Sequence, residues 1–141
     1  DIILSVTLNL KPGDKVAMKA KMTEIIKQRK QKDDQYPSAG SVFKNIKLSE
    51  AEMKDFVLQH PDFPDNFVKH LTVPAAWLID KCGLKGRKIG GAMISEVHSG
   101  RIINIGTAKA EDVIMLISII KQKVRSNFSL QLMEEIDYRG F

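Results

Sequence analysis

The sequence predicts an α+β fold, in which a mixed sheet packs against helices. Residues 92–96 and 101–105 have the composition of two strands joined by a short connector. Residues 110–127 carry the clearest helical pattern, with one apolar stripe that includes Val113, Ile117 and Val124. Strands and helices do not alternate strictly along the chain, which favours the α+β class.

The first thirty residues contain one strand pattern followed by one helix pattern. In residues 3–10 apolar and polar side chains alternate, and the polar turn 11–14 ends the predicted strand. Residues 15–30 have helical periodicity, with methionines and isoleucines on one face and basic residues on the other. The chain begins at Asp1 inside a strand pattern and without an initiator Met, so we expect it to be cut from a longer protein.

The centre of the chain is predicted to combine short elements with turns. Residues 32–40 form a polar turn region, and residues 41–45 form a short strand or tight turn. Ser49 and Glu52 have the spacing of a capping box, which predicts a helix that runs to about residue 59. Most of the proline-rich stretch 60–74 is expected to be loop.

The second half begins with a short helix whose first residue is predicted to be Pro74 and which ends at Gly83. A basic, glycine-rich turn at residues 84–91 follows this helix. After the long helix at 110–127, residues 129–138 are predicted to form a last strand.

Composition narrows the class of protein. The 141 residues are 43% hydrophobic and 28% charged, an ordinary globular balance. The net charge of +5 fits a nucleic-acid surface, a pocket for a phosphorylated small molecule or a plain solvated surface. Aromatic residues are few and do not interleave with the basic ones, which disfavours a platform for single-stranded nucleic acid. No apolar run approaches the ~20 residues of a membrane span.

The single cysteine, Cys82, cannot form an internal disulfide, so a reducing compartment is expected. Its apolar helical neighbours indicate a core position for Cys82 and for Trp77. His60 and His98 have no cysteine or carboxylate at ligand spacing, so we predict no metal site.

Five segments, in this order and over nearly the whole chain, resemble the C-terminal half of the UDP-N-acetylenolpyruvoylglucosamine reductases, the MurB family. One such motif is weak, whereas five in order make a chance match improbable. The resemblance assigns residues 1–34 to the strand–helix end of a FAD-binding domain and residues 35–141 to a substrate-binding domain. The segments are Tyr36–Asn45, Ala75–Gly86, Ile89–Ser95 with Ile103–Asn104, Ala108–Val113 and Leu132–Ile136.

The resemblance implies a reaction in the cytoplasm that serves peptidoglycan synthesis, and through it cell-wall biogenesis, cell shape, the cell cycle and cell division. The family uses NADPH to reduce a bound FAD, which passes hydride to the enolpyruvyl ether of UDP-N-acetylglucosamine. Protonation next to the carboxylate then gives UDP-N-acetylmuramate. The family's glycine-rich flavin loop and its Tyr-Arg-x-Ser arginine have no counterpart in this sequence. On its own, the chain is therefore expected to be either an inactive fragment of the enzyme or a stand-alone UDP-sugar-binding module without catalysis.

Ser41 matches the serine that donates the proton in the family. A hydroxyl is a weak acid, but an enolate-like carbanion is a strong base, so a well-placed serine can suffice. Gly40 before it allows a close approach of the backbone to a ligand. A turn serine that caps a backbone N–H is the other interpretation.

Glu135 matches the family's glutamate at the enolpyruvyl end, where it would orient substrate or stabilise the enolic intermediate. Such a role requires a carboxyl whose pKa is raised by burial. Its neighbour Glu134 stands where the family usually has proline, and in a strand it would point to the opposite face. A solvated strand carboxylate is the alternative for Glu135.

Asn45 and Lys85 match family positions that hold the UDP diphosphate. The lysine supplies a point charge and the asparagine an amide donor, and phosphate oxygens accept both. Lys32 resembles a further substrate-binding lysine, at a spacing about one residue short. Arg87 and Lys88 are rivals for the phosphate contact in the same turn. Asn45 could instead be a turn residue, and it precedes Ile46 where the family usually has proline.

Overall fold

The computed structural model describes residues 3–31 and 35–140, and the side chains of residues 29–31 are not described. The chain divides into two compact units, residues 1–33 and 34–141. Within the described ranges, no helix is long and apolar enough to cross a membrane.

The described residues of the first unit form one helix, α1 (Lys15–Gln31). The carboxylate of Asp14 accepts hydrogen bonds from the backbone N–H groups of Val16 and Ala17 at 2.7 and 2.9 Å, which caps the first turn. This confirms the predicted helix. The strand predicted for residues 3–10 is wrong, because the described residues of this unit supply no second strand to pair with it.

The second unit is built around two antiparallel sheets. Four strands follow the order β1-β6-β5-β4, and a two-stranded sheet joins β2 to β3. The helices pack against the four-stranded sheet or lie in the connections, so the predicted α+β class is confirmed. The sheet was predicted to be mixed, but all strand pairs among the described residues are antiparallel. The elements are β1 (Ser38–Ser41), β2 (Ile46–Lys47), α2 (Glu50–Gln59), α3 (Asp65–Val68), β3 (Thr72–Val73), α4 (Ala75–Lys81), β4 (Lys88–Ile89), β5 (Ala92–Ile94), β6 (Arg101–Asn104) and α5 (Ala110–Phe128).

The capping box predicted at the start of α2 is present. The hydroxyl of Ser49 accepts from the N–H of Glu52, and the carboxylate of Glu52 accepts from the N–H of Ser49 at 2.8 Å. The carboxylate of Glu52 also accepts from the hydroxyl of Ser49, and the two bonds that it accepts lower the pKa of Glu52, the backbone bond most strongly. The helix ends at Gln59, as predicted, two residues before Pro61.

Helix α5 supplies the centre of the core. Its buried stripe (Leu116, Ile117, Ile120 and Val124) belongs to the core cluster, and the helix contacts β4, β5 and α4. At the end near α2 the core becomes aromatic, since the ring of Trp77 lies 5.0 to 5.9 Å from those of Phe63, Phe128 and Phe56. Trp77 and Cys82 are half-buried against this core, and burial raises the pKa of the Cys82 thiol.

Most of the stretch 60–74 is loop, as predicted, although it also contains α3 and β3. Two other local predictions require correction. Pro74 is the residue before α4 and not its first residue. Residues 129–138 do not form a strand, and only Glu134 makes a β-bridge, to Phe43. The partner segment is too short for a longer ladder, because after Lys44 the chain turns to place Asn45 against α4.

Candidate functional site

A β-bulge determines the direction in which Ser41 points. Ser38 pairs with Ile103 and Ser41 pairs with Arg101, so β1 carries one more residue than β6 between these two pairs. Gly40 lies in this bulge with φ of +87°, a conformation that glycine adopts without strain. Without the extra residue, Ser41 would pair with Gly100 and its side chain would lie on the other face of the sheet. Ser41 is exposed to solvent in this arrangement.

The segment after Ser41 is held between β6 and the C-terminal part of the chain. The N–H of Val42 donates to the carbonyl of Gly100 at 2.9 Å, and the carbonyl of Val42 accepts from the N–H of Glu135 at 2.8 Å. The N–H of Lys44 also donates to the carbonyl of Met133. The backbones of the two predicted catalytic residues therefore meet at Val42, the neighbour of Ser41.

The two glutamates of the C-terminal segment have different surroundings. Glu135 is exposed, whereas Glu134 is half-buried and binds the ammonium group of Lys121 on α5 at 2.9 Å. Burial raises the pKa of Glu134, but the hydrogen bond and charge of Lys121 outweigh it and leave that pKa below its usual value. The pair Lys121–Glu134 ties the C-terminal segment to α5 and fixes the adjacent Glu135 beside Val42.

Asn45 has a structural contact at the position predicted to bind diphosphate. Its side-chain oxygen accepts a hydrogen bond at 3.2 Å from the N–H of Ala75, the first residue of α4. The residue before Ala75 is Pro74, whose side chain cannot accept such a bond, so Asn45 caps the helix from a distant part of the sequence. This bond uses the amide oxygen, so the amide nitrogen, a hydrogen-bond donor, has no part in the cap.

Lys85 lies just beyond the other end of α4. Its ammonium group forms an ion pair with Asp80 at 2.8 Å, and both side chains are partly exposed. The rivals Arg87 and Lys88 are exposed in and next to the same turn, which is closed by bonds between the backbones of Gly86, Arg87 and Ile94. Helix α4 has seven residues and is about 10 Å long, and it separates Asn45, which contacts its first residue, from Lys85, which lies beyond its last. Lys32 lies outside the described residues.

Two buried serines, Ser95 and Ser99, support the connection between β5 and β6, and neither is among the predicted site residues. Ser95 accepts from the N–H groups of Val97 and His98 at 3.1 and 2.9 Å, and the hydroxyl of Ser99 donates to the carbonyl of Ala76 at 2.6 Å. In the sequence, a serine that precedes a polar connector between two strands is the signal that predicts such a turn. The ring of His98 accepts from the N–H of Gly100, so it too shapes this turn.

The described residues show neither a cluster of metal ligands nor a cavity whose lining suits a flavin. In the described part of the chain, no group of three or more His, Cys, Asp or Glu could hold a metal ion, and the ring of His60 packs on Phe56 at 4.6 Å. A cavity of about 420 Å³ beside β1 and the start of α5 is lined mainly by apolar side chains, with Lys109 as its one charged residue. That lining does not match FAD, which carries a diphosphate and polar rings.

Sequence and structure comparisons identify similar proteins. The model of the UDP-N-acetylenolpyruvoylglucosamine reductase C-terminal domain matches residues 30–139. The reductase of Fervidobacterium nodosum is 42% identical over 137 residues, which are 96% of this chain and 37% of that protein. The reductase of Clostridium novyi is 35% identical over 99% of this chain and 38% of its own length.

A solved structure agrees with these sequence matches. The reductase from Thermus caldophilus superimposes with a TM-score of 0.56 at 31% identity, over 90% of this chain and 37% of that one. The chain therefore spans about two-fifths of the length of the relatives it matches. With its match over residues 30–139, the chain belongs to the UDP-N-acetylenolpyruvoylglucosamine reductase C-terminal domain family.

Proposed function

We propose that this chain is the substrate-binding and proton-donating part of a UDP-N-acetylmuramate dehydrogenase. The complete enzyme would reduce UDP-N-acetylglucosamine enolpyruvate with NADPH and FAD, in the cytoplasm, for peptidoglycan synthesis. The family match over residues 30–139 carries this proposal. Residues 1–34 would then be the end of the FAD-binding domain, and residues 35–141 the substrate-binding domain.

The proposed chemistry uses Ser41 as the general acid. In the complete enzyme, bound FAD would supply the hydride that adds to the outer vinyl carbon. The carbon beside the carboxylate then takes the proton of Ser41, so that the Oγ–H bond breaks and a C–H bond forms. The exposure of Ser41 in this chain leaves its hydroxyl open both to a substrate and to water that returns the proton.

The other candidate residues would bind the substrate. Glu135 lies next to Val42, which supports a role at the same enolpyruvyl end as Ser41. Lys85 and the amide nitrogen of Asn45 would bind the diphosphate at the two ends of α4. Lys32 remains a proposed third contact.

The proton-donor role can be tested in a complete reductase that carries this sequence as its C-terminal part. One route replaces the matching part of the Fervidobacterium nodosum relative, which is 42% identical to it. Ser41→Ala should slow single-turnover oxidation of the reduced flavin by substrate by about 10²-fold or more, the usual share of a general acid. Ser118→Ala, an exposed serine of α5, is the control and should not change that rate. An unchanged rate in Ser41→Ala would show that another group supplies the proton.

The binding roles can be tested on the 141-residue chain itself, which also tests the non-catalytic alternative. Titration with UDP-N-acetylglucosamine, followed by calorimetry and amide chemical shifts, should give weak binding that Lys85→Ala reduces. Arg87→Ala and Lys88→Ala are the matched comparisons, because both side chains are exposed in the same turn region. If millimolar ligand produces no heat and no chemical-shift change, that result would argue against a diphosphate site in this chain. A larger loss of binding in Arg87→Ala than in Lys85→Ala would assign the contact to Arg87.

A further inference from the structure

Arg101 lies directly across the sheet from Ser41. The two residues are register partners on the neighbouring strands β1 and β6. The N–H of Val42 donates to the carbonyl of Gly100, so Ser41 and Arg101 form a non-hydrogen-bonded pair of the antiparallel ladder. In antiparallel sheets such pairs have side chains on the same face, with Cβ atoms about 4.5–5.5 Å apart.

The bulge at Gly40 creates this juxtaposition. The extra residue in β1 moves Ser41 from a position opposite Gly100 to a position opposite Arg101. A cationic side chain and the exposed hydroxyl are thereby placed on one face, and Arg101 is half-buried on it. Residue spacing does not give the register of two strands when a bulge intervenes, so no pattern in the sequence indicates a role for Arg101.

The chemistry proposed for Ser41 gives this neighbour a function. A serine that donates its proton leaves an alkoxide, which is unfavourable in water. A guanidinium group stays protonated at all relevant pH values, so it stabilises the alkoxide without exchanging a proton. The attraction strengthens when bound substrate displaces water from the pair.

We propose that Arg101 is a positioning residue for proton donation, acting through Ser41 by stabilising the negative charge that develops on its oxygen. This inference rests on the proposed role of Ser41. The proton moves from the Ser41 oxygen to the carbon beside the substrate carboxylate, and water restores it, so no further reactant is required.

The test uses the complete reductase that carries this sequence. Arg101→Gln should slow the single-turnover step by about tenfold to a hundredfold with little change in substrate affinity, and Arg101→Lys should restore most of the rate. The solvent deuterium isotope effect should rise in Arg101→Gln, because proton transfer then limits the step more strongly. Arg125→Gln removes the same charge from an exposed position on α5 and should leave the rate unchanged.

The double variant separates the two proposals. If Arg101 acts through Ser41, adding Arg101→Gln to Ser41→Ala should cause no further loss. Additive losses, or a change confined to substrate affinity, would overturn the role of Arg101 while leaving that of Ser41 intact. If Ser41→Ala alone is without effect, the proposed function of Ser41 fails first. Failure of Arg101→Lys to restore the rate of a folded enzyme would also count against the electrostatic role.

Discussion

Gly40 has φ of +87°, and the extra residue that this conformation accommodates in β1 turns Ser41 toward the face of Arg101. An ideal Cβ at Gly40 would meet no atom within 4 Å, so the requirement for glycine is conformational and not a matter of space. The same holds for Gly83 after α4, which has φ of +65° and equally open surroundings. Both positions therefore favour glycine because of their positive φ, but only Gly40 is adjacent to Ser41.

Gly40→Ala and Gly83→Ala should each lower the free energy of unfolding by about 1–2 kcal/mol, because an L-residue is strained at positive φ. Only Gly40→Ala should also disturb the amide shifts of Ser41 and Arg101, since relief of the strain removes the bulge. Urea unfolding and two-dimensional NMR of the 141-residue chain measure both effects. Equal perturbation of Ser41 by Gly83→Ala would mean that the bulge does not control its orientation.

Asn45 has both a structural contact, made by its amide oxygen, and a proposed binding role for its amide nitrogen. Replacing the nitrogen alone separates the two. Asn45→Ala removes the acceptor for the N–H of Ala75 and should lower the free energy of unfolding by about 1 kcal/mol. Asn45→Asp retains an acceptor oxygen and should keep that stability. It loses the amide donor and gains a negative charge, so it should weaken UDP-N-acetylglucosamine binding in calorimetry. If Asn45→Asp is as unstable as Asn45→Ala, the cap does not depend on the acceptor oxygen.

At the scale of elements, the helices were predictable because their signals are local. The Ser49–Glu52 box and the apolar stripe of α5 are complete within one stretch of sequence, and their bounds agree with the structure to within a residue. The prediction of a strand at residues 3–10 was wrong, because alternating apolar and polar side chains do not supply the second strand with which it must pair. The bulge, the cap on α4 and the register of Arg101 connect distant residues, so no local pattern contains them.

The C-terminal segment is an element held by contacts that depend on pH. The pKa of Glu134 in the folded chain lies below its usual value because of Lys121, so the pair stabilises the fold when Glu134 is ionised. That contribution is fully present above the ordinary pKa of a glutamate and is lost as the pH falls through the lower folded pKa.

Glu134→Gln should therefore lower the free energy of unfolding by about 1 kcal/mol at pH 7, and by less as the pH falls below the ordinary glutamate pKa. The amide shift of Glu135 should change with it, because the adjacent residue loses its anchor to α5. Urea titrations at several acidic pH values measure the first effect. Asp137→Asn, in the same segment but highly exposed, is the control and should show a smaller difference. An unfolding difference that is constant with pH would indicate that the carboxylate charge is not its source.

At the scale of the second unit, one continuous core links the sheet to the aromatic cluster around Trp77. Buried residues of β5, α5, α4 and α2 belong to a single cluster, in which Ile94 lies at the sheet end and Phe56 at the other. Trp77 is the only tryptophan of the chain, so its fluorescence reports on the aromatic end alone. A continuous core should make both ends unfold in one transition.

Ile94→Ala should then shift the Trp77 fluorescence transition in urea, although Ile94 belongs to β5, in the sheet. The fully buried isoleucine should cost about 2–5 kcal/mol, the range for large-to-small changes in a core. Val97→Ala changes an exposed side chain in the connection after the same strand and should leave the midpoint nearly unchanged. If Ile94→Ala perturbed the sheet amides but left the Trp77 midpoint in place, the unit would unfold in separate steps, and the segment that carries Ser41 would be stabilised independently of the aromatic end.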